Sequence, residues 1–281
     1  MHRFLISLAA AGLSLLCVSS ISLAADTPVE RGAYLMNAVA ACDNCHTPFG
    51  PKGPDMSKAL SGRLMEDNAV WTVYASNITP DMETGIGGWS DAEIVRAIRE
   101  GVRPDGSVIG PPMPIGLYRG MSDADAMALV AYLRSLPAVK NDTPASVYRV
   151  PVPPSWGPPV GHVAAPDPAD AVAYGGYLAG PVAHCVECHS SPGATGAPDV
   201  VNALGGGGMK FQGPWGESVA PNLTPLGLAD WTDAEIARAV RTGVAKDGRK
   251  LLPPMGYGYY AHMSDSDMAA IIAYLRSLPE K

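Results

Sequence analysis

The sequence predicts an all-α protein made of two tandem units joined by a proline-rich linker. Three observations carry that prediction. The first is self-similarity: RGAYLMNAVAACDNCH answers YGGYLAGPVAHCVECH, SNITPDMETGIGGWSDAEIVRAIREGVRPDG answers PNLTPLGLADWTDAEIARAVRTGVAKDG, and MSDADAMALVAYLRSLP answers MSDSDMAAIIAYLRSLP. A repeat of this length is a tandem duplication, and it defines the units before any fold is named. The second is helix punctuation at matching places in both units. The third is the stretch PASVYRVPVPPSWGPPVGHVAAPDPAD between them, whose prolines favour an extended chain over a helix. The units run over 26–137 and 171–281, with the linker at 138–170.

Residues 1–25 stand apart from both units. One basic residue, Arg3, precedes an apolar run from Phe4 to Val18 and the small-residue site Ser22-Leu23-Ala24, the three parts of a cleaved secretory signal peptide. A run of that length is short of the roughly 20 residues a membrane span needs, so export to the periplasm is expected, with membrane association only through a partner.

In each unit a first helix runs into a Cys-x-x-Cys-His motif. The second helix starts at Trp-Ser/Thr-Asp-Ala-Glu-Ile: Ser90 or Thr232 caps, Glu93 or Glu235 reaches back from the third helical position, and Trp89/Ile94 or Trp231/Ile236 can staple the entry. The third starts at Ser122 or Ser264, with Asp123/Asp125 or Asp265/Asp267 complementing the positive helix end. It stops at Pro137 or Pro279. In the linker, Trp156 is placed to pack across both units. The Asn-x-Thr triplets at Asn77 and Asn222 read better as Asx-type turns leading into Pro80 and Pro225 than as glycosylation sites.

The chemistry lies in the cysteines. Of five, Cys17 falls in the leader, and the other four form ACDNCH and HCVECH. Two disulfides would spread their cysteines to clamp long loops, whereas here both pairs are two residues apart and each is followed by histidine. Zinc would need a fourth ligand at each cluster. On one helical turn, Cys42, Cys45 and His46 share a face, as do Cys185, Cys188 and His189. Two thiols and an imidazole so placed suit a c-type haem, whose vinyl groups take the thiols as thioethers and whose iron takes the histidine. Each unit has few large apolar residues, with Phe49 and Phe211 the only phenylalanines after the leader. Two covalently bound haem c groups would supply the missing bulk.

The pattern RGAYL, CxxCHT, NITPD, GIGGWSDAEI, AIREGVRPDG and SDADAMALVAYLRSLP closely resembles the cytochrome c subunits of bacterial membrane-bound alcohol, gluconate and related dehydrogenases, over nearly all of both units. The resemblance implies two small all-helical class I cytochrome c domains that pass electrons from a flavin- or quinone-cofactor dehydrogenase toward the respiratory chain. Such subunits commonly carry three haem motifs; this sequence carries two.

Three methionine pairs recur as candidate sixth ligands. Met121 and Met263 directly precede the cap of the last helix and have a packing role there. Met65 and Met209 lie in glycine-rich sequence one loop after the histidines, where gap-filling is the commoner use. Met113 and Met255 follow paired prolines in IGPPMPIG and LLPPMGYG, a stiff loop before the last helix. That is also where the resembling family carries its distal methionine. Metal ligation is therefore expected from His46, Met113, His189 and Met255. Arg99 and Arg241 correspond between units and read equally as haem-propionate contacts or as solvated helix faces. His262 and His162 have no counterparts and read as surface histidines.

Histidine and methionine on both irons would leave no position for substrate. The expected activity is one-electron transfer rather than catalysis, the alternative being a dihaem enzyme of the peroxidase or thiosulfate-oxidising type. Without Arg3 the chain holds 19 basic and 27 acidic side chains, a net charge of −8. That balance disfavours nucleic acid and suits a redox protein partner with a basic docking patch, a dehydrogenase subunit on one side and a terminal acceptor on the other.

Overall fold

The computed structural model describes residues 27–280 apart from residue 52; the leader read at residues 1–25 lies outside the described residues. The first half opens with α1 (Pro28–Tyr34), which continues as a five-residue π-helical segment, Leu35–Val39, and then turns into the short α2 (Asp43–His46). Two short hairpins follow, β1 (Phe49–Gly50) with β2 (Gly53–Pro54), and β3 (Arg63–Asp67) with β4 (Trp71–Ala75). Then come α3 (Asp91–Glu100), α4 (Ile115–Tyr118) and α5 (Asp123–Ser135). After β5 (Val147–Tyr148), the second half repeats the helical order: α6 (Ala171–Tyr177), a π-helical segment at Leu178–Val182, α7 (Cys185–His189), the hairpin β6 (Lys210–Gly213) and β7 (Gly216–Val219), α8 (Asp233–Thr242), α9 (Tyr257–Tyr260) and α10 (Asp265–Ser277).

The helix starts fall where the caps place them. The Ser90 and Thr232 hydroxyls accept from the Glu93 and Glu235 amides at 3.3 Å, and the glutamates accept from the cap amides at 2.7 and 2.8 Å. Each of these box-capped helices ends on a glycine at φ +65°, Gly101 or Gly243, a left-handed stop that a residue with a Cβ resists. Ser122 and Ser264 cap α5 and α10 by accepting from the Asp125 and Asp267 amides. Both helices end at the residue two before a proline. In each half the leading helix crosses the last one at a glycine. A Cβ on Gly32 would stand 1.9 Å from the Ala128 carbonyl oxygen, and one on Gly175 would stand 1.8 Å from that of Ala270. The apolar faces of both halves meet in one continuous core that includes Leu35, Ile94, Met121 and Leu129 from the first and Leu178, Ile236, Met263 and Ile271 from the second.

The fold is helical but not all-α. The hairpins are the correction, and Trp71-Thr-Val-Tyr, a run of β-branched and aromatic residues, is the local reason for the larger one. Asn68 closes its turn, its side chain accepting from the Val70 and Trp71 amides. β5 adds a third strand to β3–β4, so the stretch between the halves is partly built into the first one. Trp156 does the same: its indole lies against Gly101 and Gly116 and donates to the Ile109 carbonyl, all in the first half, rather than packing across both.

The halves meet through matching contacts. Tyr34 of α1 donates to Asp267 of α10, and Tyr177 of α6 donates to Asp125 of α5, both at 2.6 Å. Each hydroxyl also accepts the amide of the partner helix's capping serine, Ser264 or Ser122. The Tyr118 ring stands edge-on to His184, with ring centres 5.9 Å apart.

Candidate haem-attachment sites

Each Cys-x-x-Cys-His motif is delivered by the same backbone device. The π-helical segment ends and one residue takes a left-handed conformation, Ala41 at φ +51° or His184 at φ +44°. The chain then re-enters a helix whose single turn carries the motif. A non-glycine residue there is strained by about 1–2 kcal/mol, and strain held at the same place in both halves marks a position the site requires. The His46 amide donates to the Cys42 carbonyl at 2.9 Å, so both cysteines and the histidine lie on one turn, as expected.

The two histidines are held alike. His46 is 9% exposed and its Nδ1 lies 2.7 Å from the Ser76 carbonyl; His189 is 7% exposed and its Nδ1 lies 2.9 Å from the Pro221 carbonyl. A carbonyl only accepts, so Nδ1 carries the proton and Nε2 keeps its lone pair. Burial holds both imidazoles below their ordinary pKa and therefore neutral. The cysteines form no disulfide. Burial pushes the Cys42 thiol up to about 12 and Cys185 to about 11, which keeps them as thiols. Among the described residues no three His, Cys, Asp or Glu side chains are grouped so as to hold a metal ion. Unpaired neutral thiols beside an imidazole with a free Nε2 fit thioether attachment and iron ligation. Arg63 lies beside the first motif with its Nε buried and without an acceptor among the protein atoms, as are the Nε atoms of Arg99 and Arg241.

Met113 and Met255 are half-buried and pack against the core, on the loop between the box-capped helix and the last one. Two carbonyls of that loop are tied in each half, by different donors. Ile109 accepts from the Trp156 indole and Pro111 from the Tyr148 hydroxyl; the matching Leu251 and Pro253 accept from the Tyr257 hydroxyl and the Ser218 hydroxyl, all at 2.6–2.7 Å. Those four donors escaped sequence reasoning because two come from the segment between the halves and no repeat marks them.

Met121 and Met263 are buried in the core, in keeping with packing. Met65 and Met209 are not equivalent residues. The amides of Gly62 and Gly207 both donate to the motif histidine's carbonyl, which aligns Met65 with Lys210 and Met209 with Leu64. Arg99 and Arg241 bind protein: Arg99 pairs with Asp123 and donates to the Gly161 carbonyl, while Arg241 pairs with Asp265 and donates to the Met263 carbonyl. His262 is exposed, and the exposed His162 pairs with Asp123. The Asn-x-Thr triplets are Asx turns, with Thr79 and Thr224 amides donating to the Asn77 and Asn222 side chains. Among the described residues no helix is long and apolar enough to cross a membrane.

Comparison with known proteins agrees with this geometry. Residues 179–279 match the family model described as cytochrome c. The chain is 30% identical to a diheme cytochrome c-type protein of Cereibacter sphaeroides, over 89% of this chain and 86% of that one. It is 36% identical to a nicotinate dehydrogenase subunit of Pseudomonas putida over 89% of its own length, and 30% identical to the fructose dehydrogenase cytochrome subunit of Gluconobacter japonicus over 90%. Those two proteins are longer, and the chain spans 21% and 53% of them. The chain belongs to the cytochrome c family. Membership brings covalently bound haem c.

Proposed function

We propose that the chain is a dihaem electron-transfer cytochrome of the periplasm, exported by a leader at residues 1–25. Its two cytochrome c domains, 26–137 and 171–281, are joined by the segment 138–170. Cys42 and Cys45 would hold one haem and Cys185 and Cys188 the other, with His46 and Met113 ligating the first iron and His189 and Met255 the second. Bound haem supplies a one-electron couple. The chain's own residues do the rest: the Ser76 and Pro221 carbonyls orient the two histidines, the clamped proline loops hold the methionines, and the core around Leu35 and Leu178 excludes water. The observation that carries the reading is the duplicated motif turn with each Nδ1 tied to a carbonyl and each Nε2 free. The partner is a dehydrogenase, in keeping with the names of the relatives, and the acceptor is a respiratory-chain component.

The test is the mass and haem content of the exported full-length protein. Two covalent haems per chain, resistant to acid-acetone extraction, are expected; one haem, or extractable haem, overturns the assignment. Mixing with a reduced dehydrogenase and following haem reduction tests the partner. Acceleration at low ionic strength, where the Debye length exceeds about 10 Å, marks a diffusing acidic carrier. First-order reduction indifferent to salt marks a permanent subunit, and the absence of reduction at any salt concentration overturns the dehydrogenase link.

A further inference from the structure

The two sites have the same backbone and different charges. Each motif contains one acid, at different positions: Asp43 in the first and Glu187 in the second. Asp43 is buried and accepts from the Thr47 hydroxyl. Glu187 is part-exposed, with the His184 Nδ1 at 3.2 Å. Only the first site adds a guanidinium. Arg63 opens β3, donates from Nη2 to the Asn44 carbonyl inside the motif at 2.9 Å, and stacks on Phe49 at 4.6 Å.

The second half has no such cation. Gly62 and Gly207 amides both donate to the motif histidine's carbonyl. The following residue pairs with Ala75 in the first half, and its counterpart's amide donates to the Ala220 carbonyl in the second. Arg63 therefore stands where Gly208 stands, and Gly208 presents no side chain. Electrostatics at the cysteines follow this difference. Glu187 is close enough to act at both Cys45 and Cys188, and Arg63 opposes it only at Cys45. At His46 the acid Asp43 acts ahead of Arg63 and in the opposite sense, so the guanidinium offsets part of the first motif's acid; at His189 no charged side chain acts.

Adding an electron makes a haem site more negative, so a nearby cation stabilises the reduced form and a nearby anion destabilises it. Building on the two-haem reading above, we propose that Arg63 sets the reduction potential of the Cys42–His46 site above that of the Cys185–His189 site. The electron lost at the second site is then the one gained at the first, which makes the second half the side of entry and the first half the side of exit. Arg63 acts here as a positioning charge and takes no part in ligation.

An optical redox titration of the intact holo-protein tests this, with haem content measured on each sample. Two one-electron waves are expected. Arg63→Gln should lower the upper wave and leave the lower one in place, with the equilibrium constant between the sites falling about tenfold, which for one electron is about 59 mV. Arg63→Lys should restore most of the difference because it keeps the charge. Glu187→Gln, at a part-exposed side chain whose loss spares the fold, should raise the lower wave more than the upper. A single unresolved wave, an Arg63→Gln variant that moves the lower wave or neither, or equal shifts of both waves would overturn the inference while leaving two haems per chain intact. A chain with one haem would instead remove the reading on which it rests.

Discussion

The Tyr34 hydroxyl donates to the Asp267 carboxylate at 2.6 Å and accepts the Ser264 amide at 3.1 Å, so one phenol from the first half helps to cap the last helix of the second. Tyr177 does the same for Asp125 and Ser122. The symmetry stops at the next residue out. Asp125 also takes a bidentate pair from Arg31 at 2.8 and 3.0 Å, whereas Asp267 has no cationic partner among the described residues. Removing a hydrogen bond to a buried charged group costs about 1.5–3 kcal/mol. Tyr34→Phe should therefore cost about 2 kcal/mol and Tyr177→Phe about half of that, because Arg31 still satisfies Asp125. Thermal midpoints of the two holo-variants check the order; equal losses would show that Arg31 contributes nothing at Asp125.

The same tyrosine makes stability depend on alkaline pH. Burial first, then the hydrogen bond to Asp267, raises the Tyr34 phenol from its ordinary 10.0 to about 12. Tyr177 is raised as well, burial again leading. A raised pKa means that the folded state holds the proton more tightly, so the contribution is complete below pH 10 and is lost as pH climbs toward 12. Unfolding midpoints should fall across that window. In Tyr34→Phe the fall should be shallower; an unchanged slope would remove Tyr34 as its source.

Most of the helical frame was legible in the sequence because its signals are local. Ser90 with Glu93, Thr232 with Glu235 and the terminal Pro137 and Pro279 need no tertiary context. The strands escaped because Trp71-Thr-Val-Tyr is short and its turn, built on Asn68, carries no Asn-Gly or Asp-Gly signal, so that a hairpin and an irregular loop look alike. The cysteines and histidines were legible through spacing. Arg63 was not, because its counterpart Gly208 is found only by following two equivalent hydrogen bonds, and simple sequence offset sets Arg63 against Gly206 instead.

Close helix crossing gives a third prediction. The Ala128 and Ala270 carbonyls sit where a side chain on Gly32 or Gly175 would begin. The clash is with backbone, which cannot rotate away. Gly32→Ala or Gly175→Ala should cost at least the 1–3 kcal/mol typical of overpacking and lower the yield of holo-protein. Gly196→Ala serves as the control for a glycine with open space around it, although its φ of +82° carries its own strain. If Gly32→Ala melts no earlier than Gly196→Ala, the helices separate more readily than their contact implies.

The last prediction concerns the loops that carry Met113 and Met255. In the first half the Trp156 indole and the Tyr148 hydroxyl tie the Ile109 and Pro111 carbonyls; in the second the Tyr257 and Ser218 hydroxyls tie Leu251 and Pro253. Each such bond is worth about 1 kcal/mol, and together they hold a loop whose methionine would otherwise swing free. The combined Tyr148→Phe and Trp156→Phe change keeps the aromatic bulk against Gly110 and Gly101 and removes both donors. It should loosen Met113 alone. The near-infrared band expected of sulfur-to-iron ligation should weaken by up to half, and the reduced protein should bind carbon monoxide at up to one site per chain. Ser218→Ala should act on the other site, and Met113→Ala sets the limit for complete loss at the first. If the double variant matches the unaltered protein while Met113→Ala exposes an iron, the methionine is held by its core packing and not by the clamp. If Met113→Ala itself exposes no iron, Met113 is not the ligand.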